Sequence, residues 1–264
     1  MQNSSIVYQG KKYLAEHLED VSDELTVEES LAIALNGTLF TMTMRTPGND
    51  VEFIQGYLYT EDIYTKLKPL EIEITKKNDS GTTKAVNLKI GAADLRDGYR
   101  NSRNFLSVSS CGICGKTSLD ELCGELSDGV ILNPNLLENM FAKMKERQST
   151  FNKSGGSHAA GAFTARGAIL SVMEDIGRHN ATDKVVGDLI LKNQLTSADV
   201  LTVSGRISYE IVMKAFRAKI PILAAVSAPS TLAVDFAKEL GITLLGFCRN
   251  DKATCYANPQ RLQV

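Results

Sequence analysis

The sequence predicts an α/β protein, α+β overall, in which a smaller N-terminal α+β domain precedes an α/β domain. Stretches that alternate apolar and polar residues, the pattern of half-buried strands, occupy the first hundred residues. In the last hundred, short apolar runs alternate with amphipathic helical segments, which is typical of strands joined by right-handed crossovers into a parallel sheet. We expect the N-terminal domain to span residues 1–105, a cysteine-containing loop with its following helix 106–130, and the C-terminal domain 131–264.

The composition is that of an ordinary globular protein. With 264 residues, 43% hydrophobic and 23% charged, it excludes wholesale disorder, collagen and coiled coil. The 29 Lys and Arg residues nearly balance the 31 Asp and Glu residues, so an anion site must be local. The sequence lacks a signal-peptide pattern and a membrane-spanning apolar stretch, and its five cysteines are too few for a disulfide framework. We expect a cytoplasmic protein with free thiols and with no nucleic-acid or membrane partner.

Three strands and one helix are predicted in the N-terminal domain. Residues 39–44 alternate as a strand, and a turn at 46–50 caps the helix. Residues 70–75 and 85–90 form two more strands, joined by a hairpin loop at 78–81. The helix carries four apolar residues: Val51, Ile54, Leu58 and Ile63.

In the middle of the chain the sequence pattern predicts a loop followed by two helices. Residues 100–115 show no helical period and include glycines that suit tight backbone turns. Ser118 with Glu121 matches a capping box and starts the first helix. Asn133 followed by Pro134 is typical of a helix start and begins the second.

The C-terminal domain gives the clearest pattern. It predicts a hairpin that turns at Arg166 and Gly167, then a helix from Thr182, and it predicts Gly241 as the end of the last helix. Between these points strands and helices alternate: strand 200–203, helix 209–218, strand 221–226, helix 231–240 and strand 242–247.

Cys111 and Cys114 are the sharpest chemical signal. Two thiols three positions apart can react with one another, bind a metal or share one nucleophilic role, and a lysine and a predicted helix start follow directly. A zinc site needs two more ligands, and Cys123, Cys248 and Cys255 supply no second pair at this spacing. We therefore favour redox or transfer chemistry over zinc, and we interpret Cys123 as a core residue.

Two polar motifs precede the alternating strands and helices. Residues 154–158 form a glycine-rich loop that can present backbone N–H groups to an anion or can be a simple turn with a structural His158. Residues 174–180 place two acids, an arginine, a histidine and an asparagine at a strand–helix junction, and this density favours a site because a structural cap needs only one such residue. Asp183 is expected either to support the residues of the site from behind or to lie in solvent, and Lys184 is expected to lie in solvent.

Three predicted strands end in small polar segments, at residues 204–206, 227–230 and 248–252. In an open parallel sheet, ligands bind beyond the carboxyl ends of the strands, and a helix N-terminus favours negative charge. Such an edge suits a phosphorylated or nucleotide-like ligand, although neither a dinucleotide-binding glycine motif nor a P-loop occurs. The candidate contacts at this edge are Ser204, Gly205, Arg206, Arg178 and His179, with Asn180 in the same cleft.

Five motifs in this order resemble one known family. They are residues 109–116, 154–160, 174–184, 204–210 and 227–230. From about Leu39 to its C-terminus the chain is similar to the formate dehydrogenase accessory sulfurtransferase family, FdhD. The resemblance implies a cytoplasmic sulfurtransferase that takes sulfur from a cysteine desulfurase as a persulfide. It implies delivery of that sulfur to the molybdenum cofactor, in its bis-molybdopterin guanine dinucleotide form, before insertion into the formate dehydrogenase apoenzyme.

The resemblance also implies residue roles and an architecture. Cys111 is expected to carry the persulfide, Cys114 to be the accompanying thiol, and two copies to form a homodimer. The C-terminal domain is expected to be a cytidine-deaminase-like α/β/α domain, but without deaminase chemistry or a permanently bound metal, because His158 is followed by two alanines where deaminases have a zinc motif. Cofactor contacts are implied at Phe247, Cys248, Arg249, Asn250, Asp251 and Lys252.

Two other functions fit the same motifs. A non-covalent chaperone would shield the molybdenum cofactor, with the cysteines serving only redox sensing. A dithiol–disulfide oxidoreductase would turn over disulfide substrates, which we do not expect.

Overall fold

The computed structural model describes residues 4–102, 126 and 129–263. Within these ranges the chain forms a two-stranded ribbon, a four-stranded sheet and a six-stranded sheet. Helices pack on the two larger sheets, which confirms the α/β class. No helix in these ranges is long and apolar enough to cross a membrane. The expected boundary at residue 105 lies outside the described residues, and the division into domains stays a prediction.

The chain begins with an antiparallel ribbon of β1 (Ser5–Leu14) and β2 (His17–Thr26). Most residues of both strands are exposed. The ribbon was not predicted from the sequence, because two strands with no buried face lack the alternation of apolar and polar residues that reveals a strand.

The four-stranded sheet has the order β4-β3-β6-β5, and α1 packs on one face. Only the β3–β6 pair is parallel. Strands β4, β5 and β6, the helix and the 78–81 loop were predicted, whereas β3 was not. The elements are β3 (Glu29–Leu35), β4 (Thr38–Arg45), α1 (Asp50–Thr60), β5 (Ile72–Lys77) and β6 (Thr83–Leu88), followed by the short helix α2 (Asp97–Ser102).

The six-stranded sheet has the order β12-β11-β10-β9-β7-β8. Its three central strands are parallel, as predicted, but β7, which pairs with β8 and β9, and β12 at the other side are antiparallel to their neighbours, so the sheet is mixed. The strands are β7 (His158–Phe163), β8 (Ile169–Asp175), β9 (Val200–Val203), β10 (Ile222–Ala225), β11 (Thr243–Arg249) and β12 (Lys252–Ala257).

Helices cover both faces of this sheet. One hydrophobic cluster joins four helices, one of them through Tyr59, to residues such as Leu201 and Leu223, and the other joins a fifth helix to Val200 and Ile222, which point to the opposite face. The arrangement is three-layered, while its likeness to cytidine deaminases stays a prediction. The helices are α3 (Leu136–Glu146), α4 (Ser149–Ser154), α5 (Arg178–Leu191), α6 (Tyr209–Arg217) and α7 (Thr231–Glu239).

Three predicted boundaries were wrong. Helix α5 begins at Arg178, a turn before Thr182, because the polar residues of its first turn hid the start of the helical pattern. Helix α3 begins at Leu136, after a turn in which the Asn133 side chain accepts a hydrogen bond from the Asn135 amide. The last predicted loop is a β-hairpin, because β11 runs on to Arg249 and β12 follows at once.

Helices α1 and α5 cross with their backbones in contact. A Cβ atom at Gly56 would overlap the carbonyl of Asp183, and one at Gly187 would overlap the carbonyl of Glu52. Only glycine permits so close an approach. The crossing therefore fixes the helix of the smaller sheet directly against the helix that begins at the polar motif of the larger one.

Candidate functional site

The polar motifs of the C-terminal half meet at one edge of the six-stranded sheet. The parallel strands β8, β9, β10 and β11 all end there. Since β7 and β12 run the opposite way, each begins at the same edge. The prediction that three polar segments share an edge is thereby confirmed for residues 204–206, 227–230 and 248–252, and residues 154–158 and 174–180 lie at the same edge.

Backbone hydrogen bonds tie the neighbouring loops of this edge together. The amide of Ile207 donates to the carbonyl of Ala228 at 3.1 Å, and the amide of Ser230 donates back to the carbonyl of Ile207 at 2.9 Å. The amide of Phe247 donates to the carbonyl of Ser227 at 3.2 Å. The loops after β9 and β10 therefore present their side chains from a fixed backbone.

Asp175 organises the start of α5 rather than facing a ligand. Its fully buried carboxylate lies 2.8 Å from Lys184 Nζ and accepts hydrogen bonds from the Gly177 amide at 2.9 Å and the Asn180 amide side chain at 3.0 Å. It also accepts from the Thr46 amide at 3.1 Å. The interpretation of Lys184 as solvated was wrong, since Lys184 is buried and neutralises Asp175.

Glu174 is also used by the fold. Its carboxylate accepts hydrogen bonds from the amides of Thr150 and Phe151, both at 2.8 Å, and from the Ser157 hydroxyl at 2.8 Å. These amides belong to the first turn of α4, whose unpaired N–H groups need acceptors. Glu174 thus holds the glycine-rich loop at the edge, and the two acids of the 174–180 motif are structural.

Asp183 is buried beneath the site. Lys214 Nζ lies 2.8 and 3.0 Å from its two carboxylate oxygens and 2.7 Å from Glu61 Oε1, and the Thr60 hydroxyl donates to Asp183 at 2.6 Å. Although burial opposes a charge on Lys214, the carboxylates of Asp183 and Glu61 raise its pKa above the ordinary value. The network joins α1, α5 and α6, so the interpretation of Asp183 as supporting the site from behind is closer to the structure than the solvated one.

His158 lies beside Ser204, Gly205 and Arg178 at this edge. Its Nδ1 is 3.5 Å from the Ser204 hydroxyl oxygen, which accepts a hydrogen bond from the Ala159 amide at 2.9 Å. Gly205 lies against it, since a Cβ there would come within 3.3 Å of the imidazole and 3.5 Å of Arg178 Cδ. A side chain at this position would separate His158 from Arg178.

The positive charge of the edge comes from arginine rather than from His158. Burial lowers the pKa of His158, and the charges of Arg178, His179 and Arg206 lower it further, so the imidazole is neutral at pH 7. Arg206 is exposed, and Arg178 has a buried Nε with no hydrogen-bond partner. Neither guanidinium forms an ion pair with a described residue.

His179 is held by two residues to which the sequence analysis gave no role. Its Nε2 lies 3.3 Å from Glu210 Oε2 and 3.2 Å from the Ser208 hydroxyl, and that hydroxyl donates to Glu210 at 2.7 Å. The hydrogen bond from His179 lowers the pKa of Glu210 below its ordinary value. Ser208 is the N-cap of α6, so the serine–helix-start pattern was the signal that could have revealed this pair.

The segment implied to bind a cofactor, residues 247–252, forms the end of β11 and the tip of the β11–β12 hairpin. Its polar residues are exposed, and Asn250 and Asp251 take left-handed conformations in the turn. Cys248 differs, because its side chain is 3% exposed and packs in the core, where burial raises the pKa of the thiol to about 12. Ligand contact at this segment stays a prediction, and its exposed candidates are Phe247, Arg249, Asn250, Asp251 and Lys252.

Comparison with known proteins settles the family. Residues 26–263 match the model of the FdhD/NarQ family. The chain belongs to this family. The matched range includes every polar segment at the sheet edge.

Named relatives within the FdhD/NarQ family are similar over nearly the whole chain. The sulfur carrier protein FdhD of Nocardia farcinica is 42% identical, with 91% of this chain and 88% of the relative covered. The protein of the same name from Sulfolobus acidocaldarius is 40% identical, with 92% of each chain covered. A crystal structure from Desulfotalea psychrophila, described as a formate dehydrogenase accessory protein, has a TM-score of 0.79 at 22% identity, covers 99% of this chain and 100% of its own, and shows the same fold.

Cys111 and Cys114 lie outside the described residues, as do Cys123 and the helix predicted from Ser118. The dithiol of this FdhD/NarQ member is thus known here from its sequence alone. Within the described ranges no three His, Cys, Asp or Glu side chains are grouped as metal ligands.

A cleft of about 530 Å³ lies at the opposite edge of the large sheet, beside the β7–β8 turn. Its lining includes Arg166 and Gln263 but none of the predicted site residues. The candidate site is therefore an open, cation-bearing sheet edge rather than that cleft.

Proposed function

We propose that this FdhD/NarQ protein is a sulfur carrier of formate dehydrogenase maturation, which accepts sulfur as a persulfide on Cys111 and transfers it to the molybdenum cofactor. Relatives about 40% identical over nine-tenths of the chain are named sulfur carrier proteins. The observation that supports the proposal is the meeting of five polar segments at one sheet edge, where Arg178 and Arg206 have no carboxylate partner among the described residues.

Sulfur acceptance requires a nucleophilic thiolate. The Cys111 thiolate attacks the outer sulfur of a persulfide on a cysteine desulfurase, a new S–S bond forms, and the desulfurase cysteine leaves as a thiolate. A cysteine near a cation and a helix N-terminus has the lowered pKa that this step needs. The lysine at position 116 and the capping pattern at Ser118 supply both features in the sequence.

Sulfur delivery requires two electrons, because the outer sulfur of a persulfide is more oxidised than sulfide. Cys114 can provide them. Its thiolate attacks Cys111 Sγ, a Cys111–Cys114 disulfide forms, and hydrosulfide leaves. The hydrosulfide replaces an oxo ligand of the molybdenum, and that oxygen leaves as water with the proton of the hydrosulfide and one proton from solvent. A thiol reductant then restores both cysteines.

The sheet edge is proposed to bind the cofactor that receives the sulfur. Bis-molybdopterin guanine dinucleotide carries two pyrophosphates, and guanidinium groups bind phosphate through paired, charge-assisted hydrogen bonds. Arg178 and Arg206 are the proposed phosphate contacts. Ser204 and Gly205 lie beside His158 at the same edge, and the exposed Arg249 and Lys252 at the hairpin tip supply further donors. The partners of this cytoplasmic homodimer are the desulfurase and the formate dehydrogenase apoenzyme.

Intact-mass spectrometry tests the proposal. After incubation with cysteine desulfurase and cysteine without added thiol, we expect the protein to gain about 32 Da, one sulfur atom. Cys111→Ala should gain none. Cys255→Ala is the matched control, because Cys255 is half-buried at a distance from the motif in sequence, and it should gain as much as the wild type.

Two outcomes contradict the proposal. A wild-type protein that binds the cofactor but takes up no sulfur is a non-covalent chaperone. A Cys111→Ala protein that still takes up sulfur carries it on another residue, with Cys114 first in line.

A further inference from the structure

His158 is the first residue of β7, which lies between β8 and β9 in the large sheet. From the sequence this histidine could be either structural or part of an anion-binding loop. Its side chain is half-buried at the candidate edge. The imidazole lies beside Arg178, because Gly205 has no side chain that would separate the two. Its contacts and its charged surroundings therefore decide between the two interpretations.

The hydrogen bonds of Ser204 indicate which nitrogen of His158 carries the proton. The Ser204 hydroxyl oxygen accepts a hydrogen bond from the Ala159 amide at 2.9 Å, and it lies 3.5 Å from His158 Nδ1. The hydroxyl hydrogen is free to donate to Nδ1, which places the proton of the neutral imidazole on Nε2. This Nε2–H group has no hydrogen-bond acceptor within the described part of the chain.

The contact with Ser204 also suits a protonated imidazole. A hydroxyl oxygen has two lone pairs, and the Ala159 amide uses one of them. The second lone pair can accept a hydrogen bond from Nδ1–H when His158 carries a proton on both nitrogens. Ser204 therefore accommodates both charge states of the imidazole, whereas a group that only donates or only accepts would favour one of them.

The charged groups that face His158 come from three other elements: Arg178 and His179 of α5, Arg206 after β9, and Asp175 of β8. Burial lowers the pKa of His158 most, the charges of both arginines and of His179 lower it further, and Asp175 raises it. Asp175 is neutralised by Lys184, so the surroundings of the imidazole are cationic. A phosphate bound to the arginines would cancel part of this positive charge and bring a negative charge to the imidazole.

We propose that His158 is a third phosphate contact of the sheet edge, which donates its Nε2–H to a bound pyrophosphate and takes up a proton on Nδ1 when that ligand binds. The proton comes from solvent, and no covalent bond to the ligand forms. This inference rests on the proposed binding of the cofactor at this edge and adds a pH dependence to it. Since the ligand raises the pKa of His158, the ligand binds more tightly as the pH falls through the range between the two values.

Titration calorimetry with diguanosine diphosphate tests the proton uptake. In this probe a pyrophosphate diester joins two guanosines, and no group of the probe titrates between about pH 5 and 8, where histidine does. Measurements at about pH 6.5 in two buffers of different ionisation enthalpy should show the wild type taking up a fraction of one proton for each probe bound. Its affinity should rise about fivefold between about pH 7.5 and about pH 5.5.

His158→Gln isolates the contribution of this side chain. Glutamine keeps an N–H donor but takes up no proton, so the probe should still bind while the proton uptake and the pH dependence are lost. His17→Gln is the matched control, because His17 is exposed on β2, and it should behave as the wild type. Equal proton uptake in the wild type and His158→Gln would overturn the role of His158 alone. A wild type that does not bind the probe would overturn it together with the proposed cofactor site.

Nuclear magnetic resonance tests the same coupling without a ligand. The chain contains three histidines, so their imidazole C–H signals can be followed separately, with His17→Gln and His158→Gln to assign them. The signal of His158 should titrate below the ordinary histidine value and move upward when the probe is added. Arg206→Ala should move it upward without the probe, because one of the charges that lower the pKa is removed, whereas Arg206→Lys should not. An unchanged His158 titration in Arg206→Ala, or on addition of the probe, would contradict the proposal.

Discussion

The start of α5 and the tip of the β11–β12 hairpin lie at the same sheet edge but are held in different ways. At the start of α5, Asp175 and Lys184 form a buried ion pair, and Asn180 bonds both Asp175 and the carbonyl of Met44. At the hairpin tip, residues 249–252 are exposed. Both segments are rich in polar residues, yet at the start of α5 most of the polar side chains form hydrogen bonds or ion pairs that fix the backbone. A dense polar motif therefore marks a position that must be built accurately, and only some of its residues are free for a ligand.

The largest expected difference between the two segments is in stability. Asp175→Ala leaves Lys184 buried without its counter-charge, and breaking a buried pair costs about 3–5 kcal/mol. Asp251→Ala at the exposed tip should cost less than about 0.5 kcal/mol. Denaturant unfolding measures both free energies, and equal costs would remove the distinction between the segments.

A smaller loss in the free energy of unfolding is expected when the cap of α4 is removed. Glu174→Ala removes the acceptor for two amides in the first turn of α4, and the loss of such a cap costs about 1–2 kcal/mol. Glu174→Gln keeps one acceptor oxygen and should recover part of that free energy of unfolding. If both variants unfold at the same denaturant midpoint as the wild type, Glu174 does not cap α4.

Arg206→Ala tests the part of the edge that the fold does not use. Because Arg206 is exposed, its loss should leave the free energy of unfolding unchanged within about 0.5 kcal/mol. Loss of one phosphate contact should weaken binding of guanosine diphosphate about tenfold, or about 1.4 kcal/mol. Calorimetric titration measures this, with Arg166→Ala at the opposite edge as the control. Equal affinity of Arg206→Ala and Arg166→Ala for guanosine diphosphate would show that Arg206 does not contact the ligand.

The smallest effect concerns the pH dependence of the Glu210–His179 pair. The pKa of Glu210 is lowered in the folded protein, chiefly by the hydrogen bond from His179. The stability that this adds is present above the unfolded-state value of 4.5 and is lost as the pH falls toward the lower folded-state value. Both side chains are partly exposed, so the contribution is less than about 1 kcal/mol.

Glu210→Gln measures that contribution. We expect the variant to be slightly less stable than the wild type at pH 7 and to approach it below pH 4.5, as followed by denaturant unfolding across the pH range. A constant difference between the two proteins at every pH would show that ionisation of Glu210 does not contribute.

The sequence could predict elements that bury one face or one stripe. Strand β4, helices α6 and α7 and the central parallel strands were located within two residues, because tertiary burial and local pattern agree there. The exposed β1–β2 ribbon has no buried face and left no such pattern. Strand β12 was missed for the same reason, since half of its residues are exposed.

The edge at which the candidate site lies could also be predicted, because parallel strands must end together. The role of each polar residue could not. Lys184 contacts Asp175 rather than solvent because α5 begins at Arg178. Glu174 accepts hydrogen bonds from α4 only once the tertiary fold brings residues 24 positions apart together. Sequence distance says nothing about such contacts, which explains why Lys184 was misassigned and why Ser208 and Glu210 were given no role.

The glycine crossing of α1 and α5 has a consequence for protein engineering. A chimera that joins residues up to 102 of this chain to the remainder of a homologue would inherit one glycine from each parent. Alanine on either side would wedge the two helices apart, however well each fragment suits its own sheet. Recombination between homologues should therefore succeed only where both donors supply glycine at this contact.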